Sequence, residues 1–182
     1  RAGIGFILPI ARWKGCGGGL NSREWSFETF TFAAGLAAAT EKIAVFSTVH
    51  VPMVHPVFAA KALTTVDHIS NGRAGLNIVC GWNPEEFGMF GLPMIDNRYD
   101  QVLEWFEIMR RIYTSDEPFD YDGQFYKSTG VSATPRPTHT PRPLTRNQAV
   151  APPAAVFALQ PPDSPCSPLP RPARPRHHPP SR

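Results

Sequence analysis

The chain is poor in cysteine and has no long apolar run. Its three cysteines, Cys16, Cys80 and Cys166, lie far apart, with no CxxC pair and no even-numbered framework. That excludes a disulfide scaffold and leads to the expectation of a reducing, cytoplasmic compartment. No stretch approaches the roughly 20 apolar residues of a membrane-crossing helix. The first residues lack a signal-peptide pattern, and there is no initiating Met. The opening Arg1–Ala2–Gly3 runs at once into a strand-like segment, as expected of a piece of something longer.

Other absences are local. Residues 135–182 contain no glycine, no lysine and a single acid, Asp163, but 15 of the 21 prolines and seven arginines. Residues 1–134 hold all 14 glycines and only six prolines. Net charge divides the same way, −3 from 11 basic and 14 acidic residues in the first part and +6 from seven and one in the second. The overall +3 therefore belongs to the tail and implies no nucleic-acid face on the rest. An arginine arm for nucleic acid is also disfavoured, because the tail lacks the interleaved aromatics that stack bases.

Within the first part, strands and helices alternate. Ile4 to Ile10 reads as a strand, followed by the glycine-rich Gly15–Gly19. Glu24 to Thr40 reads as a helix with Phe27, Phe30, Thr31, Ala34 and Ala38 on its inner side. Ile43 to Val49 is a second strand. Pro56 starts a helix to about Ile69, facing inward with Ala59, Ala60, Leu63 and Val66 and closed by Asn71–Gly72. Ala74 to Cys80 is a third strand, apolar enough to be buried on both faces. A loop to Asp96 follows, and then an amphipathic helix from Asn97 to Tyr113 whose core side is Tyr99, Val102, Leu103, Phe106, Met109 and Ile112. Phe119 to Val131 reads as a hairpin turning at Asp122–Gly123. Strand–helix units of this length make an α/β fold with parallel strands. The pattern fits a (β/α)8 barrel or an open doubly wound sheet. Polar groups after every strand (Arg12, His50, Trp82 to Glu86) lean toward the barrel.

The stretch GRAGLNIVCGWNPEEF, residues 72–87, concentrates the chemistry. Asn77 puts one amide inside an apolar strand, where it needs hydrogen-bond partners. After Gly81 come an indole, an amide and two carboxylates. By contrast, KGCGGG at 14–19 lacks the Lys–Ser/Thr of a phosphate loop, and Leu20 stands where a dinucleotide fingerprint has its third glycine. His50, His55, His68 and Cys80 show no metal-ligand spacing, so no metal is expected.

Taken in order, IARWKGCGG (10–18), ETFTFAAGLAAATEKIAVFSTVHVP (28–52), VHPVFAAKALTTVDHISNGR (54–73), GLNIVCGWNPEEFGMFGL (75–92), NRYDQVLEWFEIMRRIY (97–113) and DYDGQFYKSTGV (120–131) resemble the bacterial luciferase-like superfamily of flavin-dependent monooxygenases. Within it the resemblance is to the branch with the pyrimidine, alkanesulfonate and dimethyl sulfone enzymes. STVHVPMVHP and the WNPEEF segment look most like the dimethyl sulfone type. The resemblance implies a TIM-type barrel, here partial, over residues 1–147, with residues 148–182 a disordered low-complexity tail. It implies reduced FMN and molecular oxygen, a small-molecule substrate with organosulfur compounds favoured, a separate flavin reductase, and a homo-oligomer when full length. No nucleic-acid or membrane partner is implied. Flavin contacts in the pyrimidine branch match Ala11, Arg12, Asn77, Glu86, Arg98 and Tyr99; His50 and Trp82 are the expected substrate-pocket residues. No residue is assigned a catalytic role, and Cys80 carries none.

One departure qualifies the resemblance. The family pattern is followed through Arg142–Asn147 and left at Gln148–Val150, so a shifted reading frame is expected to account for the tail. Two other functions stay open: a deazaflavin-dependent oxidoreductase of the same fold, and a non-catalytic remnant.

Overall fold

The computed structural model describes residues 3–15 and 25–138, together with the backbone of 142–143 and 154–156. Cys16–Gly19, Cys166 and most of the tail lie outside the described residues.

At its centre are two adjacent parallel strands, β2 (Ala44–His50) and β3 (Ala74–Val79), with Val45 opposite Ala74 and His50 opposite Val79. A strand buried on both faces must be covered by helices on one of them. The face carrying Val45, Val49, Leu76 and Ile78 packs against three helices, α1 (Thr29–Ala39), α2 (Pro56–Ser70) and α4 (Arg98–Thr114). β1 is only Phe6–Ile7, parallel to β2 at the sheet edge, shorter than the Ile4–Ile10 expected. Ile4, Phe6 and Ile10 are exposed there. Beyond β3, backbone at β7 (Ala154–Val156) pairs parallel with it, and β6 (Arg142–Pro143) pairs parallel with β7. Alternating helices and parallel strands give the expected α/β class. No described helix is long and apolar enough to cross a membrane.

Three helices depart from the sequence reading, each for a local reason. Helix α1 begins at Thr29, not Glu24, because the Glu28 carboxylate accepts from the amides of Phe30 (2.8 Å) and Thr31 (2.7 Å) and caps it. Its buried side is Phe30, Ala33 and Ala37, while Phe27, Thr31 and Ala38 face solvent. In α4 the core stripe is Val102, Trp105, Ile108, Met109 and Ile112. Leu103 stays 67% exposed and Tyr99 41% exposed. Trp105 decides the rotation, since its indole N–H finds the Val54 carbonyl at 2.8 Å while its ring fills the core. Third, the expected loop contains a helix, α3 (Pro84–Met89), started by Pro84 and by the Asn83 side chain accepting from the Glu85 amide at 3.1 Å.

The ends of these elements are fixed by specific contacts. Asn71 closes α2 with φ 53°, ψ 52°. Next to it, Arg73 hydrogen-bonds the carbonyls of Ser70, Ile43, Ala37 and Thr40, tying α1 to α2 at the amino end of β3. Strands β4 (Phe119–Asp122) and β5 (Lys127–Val131) form an antiparallel pair with Asp122 opposite Lys127. The hairpin was expected, but residues 123–126 make a four-residue connection instead of a two-residue turn at Asp122–Gly123. The Glu104 carboxylate explains this by gathering the amides of Gln124, Phe125 and Tyr126. After β5, residues 132–138 lie along α2, where Asp67 accepts from the Thr138 amide and hydroxyl and the Arg136 carbonyl lies 2.7 Å from His68 Nε2.

Candidate functional site at the carboxyl ends of the strands

Strand periodicity sends alternate residues to the face away from the helices: Phe46, Thr48 and His50 from β2, Gly75, Asn77 and Val79 from β3. The Phe46 ring lies directly over Gly75, where a Cβ would meet it at 2.2 Å. Next along the sheet, Asn77 Nδ2 donates to Thr48 Oγ1 at 3.3 Å, and the Thr48 hydroxyl donates to the Pro9 carbonyl at 2.7 Å. One hydrogen-bond chain thus runs from β3 across β2 to the segment after β1.

At the strand tips a charged group is enclosed. Gly81, with φ +75°, turns the chain so tightly that a Cβ would sit 2.8 Å from the Phe87 ring, and this brings α3 back over the tips. Glu86 on α3 is fully buried. Its Oε1 accepts from the amides of Trp13 (3.0 Å) and Lys14 (3.3 Å). Its Oε2 faces the Arg12 guanidinium at 3.7 Å and His50 Nδ1 at 3.9 Å, beyond hydrogen-bonding distance. Arg12 also lies over the Trp82 ring, 4.8 Å from its centroid. Burial, reinforced by the Arg12 charge, pushes the His50 pKa down to about 4, so at neutral pH the imidazole is uncharged and its contact with Glu86 is not an ion pair.

Seven buried side-chain atoms among the described residues have no hydrogen-bond partner within the chain, and five of them belong here: Arg12 Nε, His50 Nδ1, Asn77 Oδ1, Trp82 Nε1 and Glu86 Oε2. Such atoms are costly unless something pairs with them. A small, open hollow of about 60 Å³ lies beside Arg12 and His50, lined by Ala11, Arg12, Trp13, Phe30, Thr48 and His50 among others. Arg12 and His50 border the hollow, and the five atoms together offer both donors and acceptors.

The sequence candidates divide accordingly. Ala11, Arg12 and His50 line the hollow. Asn77 joins it through Thr48, while Trp82 and Glu86 join it through Arg12. Glu86 is no exposed loop carboxylate; it is the pivot of the rim. Arg98 and Tyr99 stand apart at the start of α4, with the Arg98 guanidinium 5.4 Å from the Tyr99 ring centroid. Arg98 still reaches the tip of β3 electrostatically: burial raises the Cys80 pKa and the Arg98 charge opposes that rise. Near Glu86, Phe87 is buried, whereas Met89 and Phe90 are exposed, Phe90 edge-on to Trp13 at 4.9 Å. Sequence reasoning missed Thr48 and Trp13. Thr48 was findable, two residues before His50 and therefore on its face; Trp13 contributes through its backbone N–H, which has no side-chain signature.

Comparison with known proteins gives a consistent assignment. The family model for luciferase-like monooxygenases matches residues 1–160. The pyrimidine monooxygenase RutA of Pseudomonas savastanoi pv. phaseolicola is 34% identical over 139 residues, covering 74% of this chain and 38% of that protein. The chain therefore spans about two-fifths of the length of the curated relatives it matches. A solved monooxygenase from Streptomyces bottropensis is 28% identical with TM-score 0.55, covering 61% of this chain and 33% of that one. A riboflavin lyase solved with modified FMN and riboflavin shares the fold at TM-score 0.67 and 19% identity, over 86% of this chain and 39% of that one.

Proposed function

The chain belongs to the luciferase-like monooxygenase family, and on that premise we propose that it forms one side of the cofactor mouth of a reduced-FMN-dependent monooxygenase. The five unpartnered polar atoms at the strand tips carry this reading. Reduced flavin, when bound, activates molecular oxygen and delivers one oxygen atom to a substrate; the protein's part is to bind, orient and exclude water.

Each residue has a task in that scheme. Asn77 and Trp82 supply an acceptor and a donor to the ring edge. Arg12, lying over the Trp82 ring and charge-compensated by Glu86, offers a further N–H without placing a net charge in the hollow. Neutral His50 can donate or accept beside the substrate without carrying charge. Ala11, with only a methyl group, leaves room for the ring to approach. Arg98 and Tyr99 stand outside the hollow; the family resemblance and the Arg98 guanidinium support a role for them at the phosphate end.

The substrate is a small organic molecule. The motifs around His50 and Trp82 favour an organosulfur compound, whereas the named relative acts on pyrimidines. A separate reductase supplies reduced flavin. The test is titration of the chain with FMN, followed by oxygen uptake with reduced FMN in the presence of dimethyl sulfone or uracil. Saturable binding with substrate-stimulated uptake is expected. Binding without uptake favours the deazaflavin alternative or a non-catalytic remnant, and absence of binding overturns the flavin reading.

A further inference from the structure

Proton bookkeeping at Thr48 fixes something about the ligand that no family resemblance supplies. A threonine hydroxyl has one proton. The Pro9 carbonyl, 2.7 Å away, can only accept, so that proton is committed to it. Toward Asn77 the Thr48 oxygen can then only accept, which obliges the carboxamide to turn its NH2 group to Thr48, at 3.3 Å. The other end of the amide, Oδ1, is buried and unpartnered on the face that carries His50. A flipped amide would set two donors against no acceptor on one side and bury a carbonyl against a hydroxyl oxygen on the other.

From this we infer that Thr48 is a positioning residue that locks the Asn77 amide with its oxygen toward the ligand, so that the group recognised by Asn77 is a hydrogen-bond donor, an N–H of the bound ring. The inference rests on the flavin reading for the identity of the ring, but the orientation of Asn77 stands on the hydrogen bonds alone. Proline at position 9 contributes too: it has no N–H of its own, so its carbonyl is the only backbone group it can offer to Thr48.

The experiment uses the 182-residue chain with 15N-labelled asparagine, comparing wild type, Thr48→Val and Thr48→Ser. Valine keeps the shape and deletes the hydroxyl; serine restores it. Two readouts are taken: the chemical shift and exchange rate of the Asn77 side-chain NH2 without ligand, and FMN affinity by fluorescence quenching. We expect the valine variant to accelerate Asn77 NH2 exchange at least tenfold and weaken FMN at least tenfold, and the serine variant to return both to within about threefold of wild type. Melting curves confirm that all three fold. An Asn77 NH2 signal indifferent to Thr48→Val overturns the inference whatever happens to FMN. Moved NH2 signals with unchanged FMN affinity overturn the link from Thr48 to the ligand. If wild type itself fails to bind FMN, the flavin reading falls, and the exchange data still decide whether Thr48 orients Asn77.

Discussion

Glu86 and Trp13, 73 positions apart in sequence, are joined by a 3.0 Å hydrogen bond from the Trp13 amide to the Glu86 carboxylate. That contact, repeated at Lys14, clamps the segment after β1 onto α3 and puts Arg12 and His50 around the second carboxylate oxygen. Removing the carboxylate leaves two amides and a buried guanidinium without their partner. Glu86→Ala is therefore expected to lower unfolding free energy by about 3–5 kcal/mol, as when one member of a buried pair is deleted. Glu86→Gln keeps an acceptor for the amides and should lose less than half as much in urea titrations.

The contact between Gly75 and Phe46 makes a prediction about volume. A methyl group at 75 would overlap the Phe46 ring, itself nearly buried, at 2.2 Å. Gly75→Ala should destabilise by about 1–3 kcal/mol through overpacking. Adding Phe46→Ala should recover part of that loss, so that the double variant is more stable than the sum of the single effects predicts. Strict additivity would show that the ring does not set the space at Gly75.

His50 gives the chain a pH dependence with a definite sign. Its pKa is depressed from the ordinary 6.5 to about 4, first by burial and then by Arg12. The unfolded chain therefore binds more protons between those values, and stability falls as pH drops from about 6.5 toward 4. The contribution is on the order of 3 kcal/mol, present in full above the unfolded pKa. Urea midpoints from pH 7 to pH 4 should decline less steeply for His50→Gln than for wild type; parallel profiles would contradict the assignment.

Glu104 holds the hairpin tip to α4 through three amides, those of Gln124, Phe125 and Tyr126, at 2.8, 3.0 and 3.3 Å. Glu104→Ala should free these groups together. Hydrogen exchange at the three positions is expected to rise by an order of magnitude or more, equivalent to about 1–3 kcal/mol of local stability. The Phe119 and Val131 amides should change less, because they lie at the far end of the pair.

Much of the fold was legible because burial on both faces leaves a strong mark. Ala44–His50 and Ala74–Val79 are short, mostly apolar segments with several β-branched residues, and α2 is punctuated by Pro56 and Asn71. Legibility failed where one residue outweighs a pattern. In α4 two stripes share Val102, Met109 and Ile112, and only the bulk of Trp105 and its bond to Val54 choose between them. At α3, the stretch up to Asp96 reads as a loop, although proline such as Pro84 is favoured at a helix's first turn. Of the candidate site, the strand-tip side chains were readable as types, since polar groups after buried strands stand out. Their mutual arrangement was not, because the Glu86 bonds to Trp13 and Lys14 involve backbone groups that every residue possesses. Thr48 shows the intermediate case: its place on the face of His50 follows from strand period, but its partner Pro9 does not.

The segment that leaves β5 returns along α2 to Asp67 and His68, at the same end of the sheet where β3 begins. Its anchoring acts as a compass for the chain beyond it. Thr138 lies level with the foot of β3, and Arg142–Pro143 and Ala154–Val156 both run in the direction of β3. Cutting the Asp67–Thr138 tether would free that segment from the foot of β3, the strand that carries Asn77 toward the rim of Arg12, His50 and Glu86.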